Sequence, residues 1–287
     1  MILQGVRRVL ARTPIHVVLI VIAIVWMLPT LGVLITSFRS AHDISQTGWW
    51  TVFEHPFQFS QYTVENYDSV IFKEGMGRAF VNSLIISIPG TIIPVFIAAF
   101  AAFGFAWMKF PGRTALFIVV VGLLVIPLQM TFIPILRLFK FLHISGTFPG
   151  IWFAHTGYGL PLTVYLLHNF MAGLPRDLFD SAAIDGASTF QTFARIVVPL
   201  SVPAIASVVI FQFVWVWNDL LVALIYLGGS AKVAPVTLAI ANLVGSRGQD
   251  WQVLTAAAFV SMALPLVVFF SLQRYFVRGI LAGSVKG

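Results

Sequence analysis

Apolar residues gather along this chain in blocks too long for strands and too uniformly apolar for the one-sided pattern of a surface helix. A helix that crosses a bilayer needs about 20 such residues, because each adds about 1.5 Å across an apolar layer of about 30 Å. Six blocks meet this length: residues 15–37, 79–108, 114–136, 150–170, 200–227 and 253–273. The second carries no charge. The fourth is the weakest, since it holds His155, Gly157, Gly159, Pro161, His168 and Asn169. The fifth is interrupted by Asn218 and Asp219. The pattern predicts an all-α membrane protein with six transmembrane helices.

Composition excludes the soluble alternatives. Hydrophobic types make up 59% of the 287 residues and charged types 9%, whereas about a quarter of an ordinary globular domain is charged. Cysteine is absent, which removes disulfide frameworks and thiolate metal sites. The net charge of +7 sits in the gaps between apolar blocks, where it sets topology; it does not form a nucleic-acid patch. No small-residue cleavage site follows the first block, so it reads as a retained helix.

With six spans both termini share a side. If that side is cytoplasmic, the inner segments hold Arg7, Arg8, Arg12, Lys109, Arg113, Arg176, Arg195, Arg274, Arg278 and Lys286 against only Asp177, Asp180 and Asp185. The outer segments carry more acid, including Asp43, Glu54, Glu65, Asp68, Glu74 and Asp250. The excess of cations inside predicts cytoplasmic termini. Three regions follow: 1–78, with the tail, first span and an outer segment; 79–274, the core; and 275–287, a cytoplasmic tail. The outer segment 39–78 contains Trp49, Trp50 and other aromatics that suit a membrane interface. A second outer loop, 228–252, carries a polar cluster of Asn242, Arg247, Gln249 and Asp250.

Prolines and glycines recur inside the blocks: Pro29, Pro89, Gly90, Pro94, Pro127, Pro134, Gly157, Pro161 and Pro265. Each proline interrupts the backbone ladder, and in lipid the freed groups must be met by neighbouring helices or by a water-filled cavity. Simple tolerance of proline in membrane helices explains them almost as well.

The loop 171–200 is the most informative segment. It reads MAGLPRDLFDSAAIDGASTFQTFARIVVPL. Pro175 suits a first helical turn, with Asp177 and Asp180 complementing the positive end of the dipole. Leu174, Leu178 and Ala182 form an apolar stripe, and Gly186 supplies a helix stop. Ser188 with Gln191 is a capping box that starts a second helix. Phe190, Phe193, Ala194 and Val197 give that helix an apolar face, and Pro199 is expected to end it. Small residues Ser181, Ala182, Ala183, Gly186 and Ala187 permit close approach of a partner. The plain alternative is a hairpin lying in the headgroup layer.

This loop resembles the signature of permease subunits of binding-protein-dependent ATP-binding-cassette importers: Glu-Ala-Ala, three residues, Gly, nine residues, Ile, one residue, Leu-Pro. Here the same spacing gives Asp180-Ser181-Ala182, Gly186, Ile196 and Val198-Pro199, with Asp for Glu, Ser for Ala and Val for Leu. Further stretches are similar to the carbohydrate branch, specifically the smaller, six-span permease of the maltose-type pair: FQFSQYTVENYDSVI, Asn82-Ser83-Leu84, FAWMKFPGR, VWNDLLVALIYL and the C-terminal QRYFVRGILAGSVKG.

The resemblance implies the type I importer permease fold in a prokaryotic inner membrane. It implies a second, different permease, two cytoplasmic ATPase subunits and an extracytoplasmic sugar-binding protein. No cofactor is expected on this chain, since ATP and Mg belong to the ATPase. Asp180, Ser181, Ala182, Asp185, Gly186, Ala187, Ile196 and Pro199 are then the ATPase-coupling residues. The polar outer loop is expected to face the binding protein.

Other chemistry is sparse. Asp219, beside Asn218 and close to Trp215 and Trp217, either faces the translocation pathway or contacts a backbone near a helix end. His155 and His168 have no carboxylate or second His three or four residues away, so they read as packing residues without metal. No phosphate loop and no nucleophile constellation is present, so the chain is not expected to be an enzyme. A permease for another polar solute, of polyol or glycerophosphate type, stays open. An ion-coupled secondary transporter fits less well, lacking repeats and several embedded acids. The charge asymmetry makes one prediction: a cytoplasm-active reporter fused after Lys286 will be active, and a reporter active only outside the cell will be silent there.

Overall fold

A computed structural model describes residues 2–247 and 249–284. Gly248, Lys286 and the last residues of the tail lie outside the described residues, as do the side chains of Arg7, Arg8, Arg12, Arg247, Arg274 and Arg278. The described residues are helical or in turns, and they divide into two compact units.

The first unit comprises Met1–Met76 and Asn242–Val260. Helix α1 spans Ile2–Ser37, and its apolar stretch from Thr13 onward is almost wholly exposed, as a lipid-facing helix is. The polar segment after it folds as a series of short helical turns. Its anchor is Arg39, which is buried and donates to the Gly48 carbonyl (2.6 Å) and the Thr47 hydroxyl (2.7 Å). Asn66 donates back to the carbonyls of Ser37 (2.9 Å) and Arg39 (2.8 Å), closing the end of α1. The Trp49 ring lies against Gly32, where an added Cβ would come within 2.9 Å of the indole.

The second unit comprises Gly77–Ala241 and Ser261–Gly287. Its helices are α2 (Met76–Trp107), α3 (Arg113–Gly122), α4 (Phe132–Phe141), α5 (Phe148–Ala172), α6 (Arg176–Ile184), α7 (Val198–Trp217) and α8 (Leu221–Leu227). Helices α9 (Val236–Arg247) and α10 (Trp251–Ser284) follow and are shared between the units. Its larger core sets Val95, Ala98, Ala99 and Ala102 of α2 against Val164, Leu167 and Met171 of α5 and Val208 of α7. The alanines matter, because in lipid helices associate by close packing and not by burial from water.

Among the described residues four helices are long and apolar enough to cross a membrane: Thr13–Ser37, Met76–Trp107, Thr189–Trp217 and Trp251–Ser271. The expected continuous third span is instead two helices, Arg113–Val125 and Leu128–Phe141, bent by 98°. Pro127 is the cause. Its ring bars Ile126 from the helical region, and Ile126 is extended (ψ 116°). The expected fourth span is helix α5, 25 residues long but rich in polar side chains. The expected outer loop 228–252 is also corrected: about half of it is helix α9, with Val236 and Leu238 of the helix and Ala234 before it buried. The sequence VTLAIANLV has no breaker, so the helix forms once Pro235 has set its start.

The other prolines do not break their helices: α2 runs through Pro89 and Pro94, and α10 through Pro265. Each leaves the carbonyl four residues earlier without its N–H donor. Three such carbonyls are taken by side chains from other helices. Ile85 accepts from Trp152 Nε1 (2.8 Å), Gly90 from Gln212 Nε2 (3.2 Å), and Ser261 from Trp217 Nε1 (2.9 Å). These bonds latch α2 to α5 and α7, and α7 to α10. Losing one donor costs about 1 kcal/mol. Gln212→Met is therefore expected to lower the melting temperature of the detergent-solubilised protein. In a Pro94→Ala background, where residue 94 regains an N–H for Gly90, the same substitution is expected to cost little. Equal losses in the two backgrounds would show that Gln212 does not serve the Gly90 carbonyl.

Candidate functional site

The loop between α5 and α7 is the hairpin that the sequence predicts. Helix α6 ends in a full glycine stop. Gly186 has φ +72°, its N–H bonds the Ala183 carbonyl (3.1 Å), and the Ala187 N–H reaches the Ala182 carbonyl (2.9 Å). That pair of bonds satisfies carbonyls the helix end leaves open. The capping box at Ser188 follows: its backbone N–H donates to Gln191 (2.8 Å) and its hydroxyl accepts the Gln191 N–H (3.3 Å). No atom lies within 4 Å of a Cβ built at Gly186, so its cost of substitution is backbone strain and not a clash within the chain.

Of the residues expected to dock a partner, Asp180, Ser181, Asp185 and Gly186 are exposed, Ala187 and Ile196 are half-buried, and Ala182 is buried against the helices. Pro199 is exposed but does not end the second helix as expected. The helix from Thr189 runs into α7 through a π turn, Phe193–Val197, in which the Val198 N–H bonds the Phe193 carbonyl. The wider turn keeps the proline ring clear of the ladder, and Pro199 sits in the first turn of α7, where its missing N–H is harmless.

Two apolar side chains stand out of the hairpin, Ile184 at 87% exposure and Phe190 at 66%. The expected face of the second helix is split: Phe193 and Val197 are buried, while Phe190 and Ala194 are exposed. On the inner side the Phe179 ring stacks on Trp107 at the end of α2 (3.6 Å between centroids), and Trp107 Nε1 donates to the Met171 carbonyl (2.8 Å). Neither aromatic was singled out by the sequence pattern. The signal was an indole at the polar end of an otherwise apolar block.

A second feature lies between α5 and α7. Tyr158, Gly159, Leu162, Thr163, Phe211, Gln212 and Trp215 line a cleft of about 450 Å³. Gly159 makes room there for the Gln212 carboxamide, which a Cβ would meet at 2.4 Å and displace. The Tyr158 hydroxyl is hydrogen-bonded to Thr131 and to Tyr226, both at 2.7 Å, which ties the broken third block to α5 and α8. Of the sequence-predicted pathway residues, only Trp215 lines this cleft. Asp219 turns to the start of α8, accepting the N–H groups of Val222 (3.2 Å) and Ala223 (3.0 Å), while its own carbonyl accepts the Thr237 hydroxyl (2.6 Å). Asn218 is exposed and donates back to the Val214 carbonyl (2.8 Å). The backbone alternative for Asp219 is the one the geometry supports. Gln212, a lone amide in an apolar run, could have flagged the cleft from sequence.

His155 is buried beside Asp219 (3.9 Å) with the Trp215 ring edge-on to it, and His168 leans on Phe117. Among the described residues no group of three or more His, Cys, Asp or Glu gathers as a metal site. Asn242 and Gln249 are exposed, Asp250 is half-buried, and Arg247 ends α9 with its side chain outside the described residues.

Residues 90–282 match the family model described as the binding-protein-dependent transport system inner membrane component. The chain is 61% identical over 275 residues to an osmoprotective compounds uptake permease protein of Synechocystis sp., covering 96% of this chain and 92% of that one. It is 56% identical over 232 residues to an alpha-glucoside transport system permease protein of Rhizobium meliloti, covering 79% of this chain and 61% of that longer one. In structure it is similar to a chain of a bacterial ABC transporter involved in the import of the acidic polysaccharide alginate. The TM-score is 0.73 at 16% identity, over 94% of this chain and 98% of that one, which is a likeness of fold.

If Asp219 serves α8, Asp219→Ala will destabilise the solubilised protein by about 1 kcal/mol, the usual cost of losing such a cap. Asp219→Asn will recover part of that stability and will transport at close to the wild-type rate. Wild-type stability with lost transport in the Asn variant would return Asp219 to the pathway.

Proposed function

The chain belongs to the binding-protein-dependent transport system inner membrane components, and we propose that it is one of two different permeases in an ATP-driven importer of a small glucosidic or polyol-like solute. It is a multi-pass inner membrane protein, and by family it is the membrane part of the importer, not an enzyme. The observation that carries the coupling role is the hairpin. It is a pair of helical turns, capped on both sides of its turn, that presents Ile184 and Phe190 outward, largely exposed among the described residues. An ATPase groove would cover them, as the resemblance implies. Two ATPase subunits with ATP and Mg, a second permease and an extracytoplasmic binding protein complete the assembly. The six-span reading counts α5 and the bent pair as spans, with both termini cytoplasmic.

The solute class rests on the relatives, one named for alpha-glucosides and the other for osmoprotective compounds. The cleft agrees with it. Aromatic faces at Tyr158, Phe211 and Trp215 suit the apolar face of a sugar ring, and sparse polar groups suit a solute that must leave again. Asn242, Arg247, Gln249 and Asp250 are assigned to contact with the binding protein.

The test is uptake of labelled solutes by proteoliposomes holding the whole complex and its binding protein. Alpha-glucosides or glucosyl polyols are expected to stimulate ATP hydrolysis and accumulate. Stimulation only by an inorganic ion or an amino acid would refute the solute class. Gly186→Val, which forces a β-branched residue to positive φ at a cost of about 1 kcal/mol or more, is expected to insert normally but to lose ATPase subunits and uptake. Full association and full transport in that variant would show that the hairpin is not the docking element.

A further inference from the structure

We propose that Trp107 is the positioning residue that transmits the load on the hairpin to helix α2, making α2 the lever that ATPase closure drives. The inference rests on the reading of the hairpin as the ATPase dock.

Helix α6 has nine residues and exposes most of its surface. A helix so short has little stability of its own, so its orientation is set by whatever holds its inner face. That face offers Ala182, the half-buried Leu178 and the ring of Phe179. The Phe179 ring lies on the Trp107 indole at 3.6 Å and 19° between planes. Trp107 is the last residue of α2, and its Nε1 donates to the carbonyl of Met171 in the last turn of α5. One side chain therefore joins the ends of α2 and α5 to the start of α6.

The second half of the hairpin is held by the same helix. Phe193, in the π turn that leads into α7, packs on Phe100 (4.6 Å) and Phe103 (5.2 Å) of α2. Residues 100, 103 and 107 follow the three-and-four spacing of one helix face. Both arms of the hairpin thus bear on one stripe of α2. Displacement of α6 by a partner is passed to α2 first. From α2 it reaches α5 and α7 through the Trp152 and Gln212 bonds to the carbonyls that Pro89 and Pro94 leave open.

An indole is specifically suited to this point. It offers a wide planar face for the Phe179 ring and an N–H for the Met171 carbonyl. Phenylalanine at 107 would keep the face and lose the donor. Alanine would lose both and leave α6 hinged at Pro175.

The experiment uses the complete complex in proteoliposomes with solute-loaded binding protein, reading solute moved per ATP hydrolysed and the ATPase subunits retained on purification. Trp107→Ala is expected to retain them in the wild-type ratio while uptake per ATP falls by about tenfold, within the usual range of coupling between sites. Trp107→Phe is expected to fall less. Phe179→Ala is expected to match Trp107→Ala, and the double variant to be no worse than either. Unchanged uptake per ATP in Trp107→Ala would overturn the proposal. So would additive losses in the double variant, or loss of the ATPase subunits, which would make Trp107 a folding or docking residue. Ile184→Asp tests the underlying reading separately. If that variant keeps its ATPase subunits and its uptake, the hairpin is not the dock, whatever Trp107 does.

Discussion

A backbone carbonyl deprived of its helical donor cannot turn to water inside a membrane, and the arrangement of the larger unit follows from how such carbonyls are met. A soluble helix can leave the group to solvent. Here Pro89, Pro94 and Pro265 each strip a donor from a helix that continues past them, and the missing bond is supplied by Trp152, Gln212 and Trp217. The same atoms therefore satisfy the backbone and fix which helices are neighbours. Because apolar side chains gain little by leaving lipid for protein, these bonds and the close alanine packing of α2 are what hold the helices in register. The positions that look like defects in the helices are the ones that specify their contacts.

The hairpin obeys different rules because it projects from the packed helices, with most of its surface exposed. The turn between its two helices is settled by local devices, a glycine stop at Gly186 and a capping box at Ser188. Local devices leave the outer surface free. Ile184 and Phe190 can then stay exposed without any strain on the fold, and the inner face can be gripped by rings from α2. The chain thus has an interior held by long-range bonds, and a small projection whose turn is set locally and whose orientation is set by the rings of α2.

This difference explains what could be read from sequence. Both devices of the hairpin were legible, since capping and glycine stops are local and each is written within four or five residues. The apolar blocks were legible for the same reason. The 98° break at Pro127 was not, because prolines at 29, 89, 94 and 265 read alike and their helices continue. The break lies at the extended Ile126 before Pro127, while the carbonyls freed by Pro89, Pro94 and Pro265 are served from other helices. Helix α9 is not legible because its apolar stretch is shorter than a span and reads as a connector. The cleft is not legible because it forms between α5 and α7, and Gln212 is far along the chain from Tyr158 and Gly159. Asp219 could be assigned to either of two roles from sequence, and only the positions of the Val222 and Ala223 N–H groups separate them.

The cleft and the latches share residues, and that sharing constrains how the unit can move. Gln212 lines the cleft and also holds the Gly90 carbonyl, while Tyr158 lines it and is tied to Thr131 and Tyr226. A shift of α2 against α7 strains or releases the Gln212 bond and so changes the wall of the cleft directly. The amide lies against Gly159, where a Cβ would meet it at 2.4 Å. Motion within this unit that keeps the Gln212 bond is therefore expected to carry α2 and α7 together.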